Sequence, residues 1–131
     1  MSIKSSLLKR VTNEVRAKFA RIDVIPKQGL FNHKCFHNAV EFAYNNEGYH
    51  VVEVMQIDNG ASVLHYVNCK FGIFYETTLG HLAEGREYYF IRVINEKDYP
   101  FIEWEFTNSK KTWNNKYLKW YHKLIKINRI V

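Results

Sequence analysis

The sequence predicts an α+β fold, an antiparallel sheet of three to five strands packed against helices. Three observations predict it. Apolar residues recur at helical spacing near both ends and again from Cys35 onward. Between these stretches lies a block of short β-branched and aromatic runs, punctuated by turn residues such as Asp58-Asn59-Gly60. Runs of strands beside segregated helices build two-layer α+β domains.

At 131 residues the chain is long enough for one modest core, so a single domain over 1–131 is expected. An apolar fraction of 47% excludes a disordered chain. No run has the length of a membrane span and the amino terminus lacks a signal-peptide core, so a soluble cytoplasmic protein is expected, with no membrane partner. A net charge of +6 favours an anionic partner such as nucleic acid, and equally describes a plain basic domain.

Ser2 to about Phe19 carries Leu7, Leu8, Val11, Val15 and Phe19 as a helical stripe that should pack on the sheet. Ile22–Lys34 reads as a loop, with Pro26 and Gly29 as breakers. A helix follows from Cys35 to near Asn46, with Gly48 as a left-handed cap. Three strands come next: His50–Ile57, Val63–Asn68 after the Asn59-Gly60 turn, and Ile73–Thr78 after a turn over Cys69–Gly72. Glu87–Ile94 reads as a further, central strand. Ile102–Phe106 is ambiguous. A closing helix over Ser109–Ile127 would bury Trp113, Tyr117, Trp120, Tyr121, Leu124 and Ile127 and leave its lysines in solvent.

The chemistry centres on Cys35. A thiol in the first turn of a helix lies in the positive end of the helix dipole, which favours the nucleophilic thiolate. Ala39, Phe42 and Ala43 share its core-facing side, whereas His37 points away and is excluded as its base. Pairing the strands about Cys69–Gly72 sets Asn68 opposite Ile73 and His65 opposite Glu76. Glu76 then orients the His65 imidazole, and His65 deprotonates Cys35 if the Cys35 helix packs on that same face. Strand alternation puts Asn68, the other candidate orienter, on the opposite face. The oxyanion would meet the Cys35 backbone N–H and a side-chain donor, Gln28 or Asn32. His33, His37, His50, His81 and His122 lack metal-ligand spacing, so neither a metal nor another cofactor is expected.

A cysteine opening a helix, a strand with histidine, and a hairpin ending in an acid before threonine together resemble the transglutaminase-like core of the papain-like cysteine enzymes. The pieces are Lys34-Cys35-Phe36-His37-Asn38-Ala39, Leu64-His65-Tyr66-Val67-Asn68 and Gly72-Ile73-Phe74-Tyr75-Glu76-Thr77-Thr78. The resemblance spans about residues 30–80. It implies thiol-dependent cleavage or transfer of an amide or ester acyl group, with a protein or peptide substrate. By position it makes Cys35 the nucleophile, His65 the base and Glu76 the orienting acid. Where the pattern has aspartate this chain has Glu76, and Phe36 and Tyr66 replace its tryptophans. Two rival readings keep the scaffold without the reaction: an inhibitor of another protein, or a basic module in which Trp113, Trp120 and Tyr121 stack on nucleic acid.

Overall fold

The computed structural model describes residues 2–131. Helix α1 (Ile3–Lys18) starts where Ser2 Oγ accepts a hydrogen bond from the Ser5 N–H at 3.0 Å. It is followed by β1 (Arg21–Ile22), β2 (Val24–Pro26), α2 (Cys35–Asn45), β3 (His50–Asp58), β4 (Ala61–Lys70) and β5 (Ile73–Glu76). A 3-10 turn, Gly80–Ala83, leads to β6 (Glu87–Val93); a second, Glu96–Phe101, leads to α3 (Ile102–Tyr117) and α4 (Trp120–Leu124). No helix is long and apolar enough to cross a membrane.

The class is α+β, with a mixed six-stranded sheet in the order β1-β6-β3-β4-β5-β2. Strands β6, β3, β4 and β5 are antiparallel neighbours, and β2 runs parallel to β5. The connectivity forces the sheet to curl. Strands β1 and β2 lie at opposite edges, about 24 Å apart in a flat sheet at the usual strand spacing. Asp23 alone joins them, and two residue steps span at most roughly 7 Å. The edges must therefore approach each other.

The curl has two differently filled faces. Val52, Val54, Val67 and Tyr88 fill the concave one, with Ile22, Val24, Phe74 and Phe90 against them. On the convex face Leu7, Val11 and Val15 of α1 and Tyr117 of α3 cover Met55, Ile57 and Leu64. Ala39 and Val40 of α2 cover Val51 and Tyr66. Each buried aliphatic side chain contributes about 1.5–3 kcal/mol.

Four expectations are corrected. The loop over Ile22–Lys34 contains β2, and β1 ends at Ile22. Both strands are too short for periodicity to register, yet they cap sheet edges that would otherwise stay unpaired. Their addition makes the sheet six-stranded and mixed. The β4–β5 turn uses only Phe71 and Gly72, at φ 54° and 76°, so β4 runs on to Lys70 and Asn68 pairs with Tyr75 instead of Ile73. The closing helix begins at Ile102 and stops at Tyr117, because Leu118 turns extended at ψ 126°. That break redirects the stripe: Tyr117 is 3% exposed, but Trp120 is 75% and Leu124 74% exposed.

Candidate active site

The loop before α2 is tied down on both sides. The Leu30 and Phe31 N–H groups donate to Thr78 O at 2.8 and 3.1 Å. Asn32 Oδ1 accepts from the Lys34 N–H at 3.1 Å and from Asn38 Nδ2 at 2.8 Å, and Asn38 Nδ2 also donates to Thr78 Oγ1. These bonds hold Phe31 and His33 at φ 50° and 56°, a left-handed conformation that costs a non-glycine residue about 1 kcal/mol or more. Helix α2 then opens directly on Cys35. Lys34 occupies the cap position and makes no side-chain capping bond, so the first-turn N–H groups at Cys35 have no side-chain partner there.

The sheet register places His65 on the concave face, opposite Val54 and between Val63 and Val67. Tyr66 and Asn68 point to the convex face, where α2 packs. Helix α2 therefore lies on the opposite face from His65, unlike the arrangement the sequence suggested. Cys35 nevertheless adjoins His65. The β4–β5 ladder ends at Asn68–Tyr75, which leaves the β4 edge open beside His65. Asn68 fixes the helix there. Its Nδ2 donates to Ala39 O at 2.8 Å and to His50 O at 3.3 Å, while its Oδ1 accepts from Thr77 Oγ1 at 2.6 Å.

His65 and Glu76 are not directly opposed, because the register is two residues from the expected one. An even offset keeps both on one face, and the glutamate side chain spans the diagonal. His65 Nε2 donates to Glu76 Oε1 at 2.7 Å. Its Nδ1 is left for the sulfur side. Glu76 is fully buried and accepts three further bonds: from Tyr88 Oη at 2.7 Å, from the Thr78 N–H at 3.0 Å and from the Leu79 N–H at 3.3 Å.

The electrostatics follow from these contacts. Burial pushes the Glu76 carboxyl upward, but hydrogen bonds and charge from His65, with the bonds from Tyr88 and Thr78, outweigh it and lower its pKa. Burial disfavours the His65 imidazolium, yet Cys35 and Glu76 together raise it to about 10. The arrangement is a buried acid that stays ionised, a base that holds its proton, and a sulfur beside that base.

Gln28 and Asn32, the expected oxyanion donors, each use the side-chain amide to tie down the loop. Gln28 Nε2 donates to Thr77 O at 2.9 Å, and Asn32 Nδ2 donates to Asn38 Oδ1 at 3.3 Å. Each ties the loop to the end of β5 or to α2. Sequence reasoning missed Tyr88, Gln56 and Asn38. Tyr88 Oη accepts from Gln56 Nε2 at 2.9 Å, and Arg86 Nη1 donates to Gln56 Oε1 at 3.1 Å. This chain extends the site to the partly exposed Arg86–Asp58 pair. Only the β3–β6 register, in which Gln56 faces Tyr88, reveals it.

Cys35 and Cys69 are both free thiols. Among the described residues no group of three or more His, Cys, Asp or Glu is arranged to hold a metal ion. Comparison with protein families, with curated proteins and with solved structures returns no match, so the reading of this site rests on its own geometry.

Proposed function

We propose that the chain is a thiol-dependent enzyme that hydrolyses or transfers an amide or ester acyl group, on a transglutaminase-like, papain-like core. One observation carries the reading: Cys35 opens a helix beside an imidazole that a buried, ionised Glu76 holds at 2.7 Å. In this mechanism the Cys35 proton already rests on His65, and the thiolate Sγ bonds to the substrate carbonyl carbon. The electron pair of the C=O moves to oxygen, and the oxyanion faces the Cys35 backbone N–H at the uncapped start of α2. His65 then returns the proton to the leaving amine or alcohol as the C–N or C–O bond breaks, leaving a thioester on Cys35. Water or an acceptor amine resolves it, with His65 again taking a proton. Glu76 keeps the imidazole oriented and compensates its charge. Gln28 and Asn32 contribute by holding the loop that presents Cys35. A protein or peptide supplies the acyl group, and a reducing compartment such as the cytoplasm suits two free thiols.

The test is acylation by a p-nitrophenyl ester, followed by mass spectrometry of the peptides. An acyl group on Cys35, absent in His65→Ala, is the expected result. Acylation of Cys69 alone, or none at all, would refute the reading.

A second reading rests on a separate observation. Trp120 and Tyr121 stand exposed beside Lys119 and Lys123, a stacking surface for single-stranded nucleic acid. Salt-sensitive binding lost in Trp120→Ala with Lys123→Gln would support it, and binding unchanged by those substitutions would end it.

A further inference from the structure

A cavity of about 330 Å³ opens between the start of β4, α1, α3 and residues 129–131. Its walls are apolar, formed by Leu8, Leu64, Phe106 and Ile130. Lys4, Lys110 and Arg129 stand around it, and no acidic side chain lines it. None of the three cations belongs to any ion pair among the described residues. One polar group on the wall is also unmatched. Ser62 is 2% exposed, and its Oγ has no hydrogen-bond partner. Leaving a buried hydroxyl unbonded costs about 1–3 kcal/mol, so a native site of this kind calls for a bonding partner.

One wall of the cavity, Phe106, leads toward the start of α2. Phe106 stacks on Phe36, the residue after Cys35, with ring centroids 4.8 Å apart, and it also packs near Tyr66. Lys110 Nζ stands 5.6 Å from the Phe106 ring centroid. Burial lowers the Lys110 pKa, as does Arg129, while the Cys35 charge acts in the opposite sense. Neighbouring cations that repel each other across an apolar hollow are stabilised by an anion placed between them.

We infer that this cavity is a subsite of the Cys35 centre for an amphipathic anionic portion of the substrate, an apolar stem carrying an oxyanionic head. The apolar walls receive the stem, Lys110 and Arg129 pair with the head, and Ser62 Oγ donates to it. The inference rests on the acyl-transfer reading for its link to Cys35, but the binding itself does not depend on catalysis.

The experiment uses full-length Cys35→Ser protein, in which binding is separated from acylation. Decanoate and decyl phosphate are titrated by calorimetry, with decan-1-ol as the uncharged probe. Both anions should bind more tightly than the alcohol, with affinity falling as salt rises. Lys110→Met and Arg129→Gln should each weaken anion binding about tenfold, the worth of one charge-assisted hydrogen bond. Ser62→Ala should weaken it by a smaller factor. Arg129 is exposed, so its variant tests the site even if Lys110→Met folds poorly. Equal affinity for the alcohol, or anion binding unchanged in Arg129→Gln, would overturn the proposal. Anion binding without ester acylation of the wild type would refute the enzyme reading and leave the anion site standing.

Discussion

Replacing Glu76 by glutamine probes the buried acid with one atom changed. The carboxylate accepts four hydrogen bonds, from His65 Nε2 and Tyr88 Oη on Oε1 and from the Thr78 and Leu79 N–H groups on Oε2. A primary amide offers one acceptor and one donor end. With its oxygen kept on the Thr78 and Leu79 N–H groups, its NH₂ faces His65 Nε2 and Tyr88 Oη, so these two lose the charged acceptor to which they donate. At about 1.5–3 kcal/mol each, the variant should be destabilised by roughly 3–6 kcal/mol. Such a loss is a large part of the 5–15 kcal/mol that a domain of this kind holds. Urea unfolding at pH 7 measures it directly.

The pH dependence supplies a second signature. His65 is raised from 6.5 to about 10, so its contribution is full below pH 6.5 and is lost as pH rises through about 10. Glu76 is lowered, so its contribution is full above pH 4.5 and is lost as pH falls through its folded value. In Glu76→Gln the acid-side loss should vanish, and the His65 titration followed by NMR should move down from about 10. A variant within 0.5 kcal/mol of wild type, with an unmoved His65 titration, would refute the account of this pair.

Tyr88→Phe should cost about 2–4 kcal/mol, since Glu76 loses a donor and Gln56 Nε2 loses its acceptor; thermal melting should show a fall of roughly 7–15 °C. Asn32→Ala should cost about 1–2 kcal/mol by freeing Asn38 and the Lys34 N–H, and should slow modification of Cys35 more than that of Cys69. Tyr117→Ala should destabilise by about 3–5 kcal/mol and Trp120→Ala by less than about 0.5 kcal/mol, read from urea unfolding. Similar costs for the last two would mean that one helix runs through Leu118.

The candidate residues were legible because each leaves a local trace. Cys35 opens an apolar-periodic run, and parity along β4 and β5 fixes the faces of His65 and Glu76 even when the register moves by two. Nothing local shows that the sheet curls. That follows from strands of two and three residues flanking Asp23, whose pairing is imposed by distant edges. The same distance hides Tyr88, which reaches Glu76 only through the β3–β6 register. It also hides the route by which α2, packed on the convex face, brings Cys35 to a histidine on the concave one. The break at Leu118 has no glycine or proline to announce it, so the aromatic stripe overstated how much of the closing helix is buried.

If His65 activates the Cys35 sulfur, the rate of alkylation against pH shows it. Iodoacetamide modification of Cys35 and Cys69 is followed by mass spectrometry in wild type and in His65→Ala. Cys35 should react faster than Cys69 at pH 6, and His65→Ala should slow Cys35 there by about tenfold or more while leaving Cys69 unchanged. Equal rates at the two cysteines, unaltered by His65→Ala, would contradict that activation and leave only the inhibitor or binding readings of the scaffold.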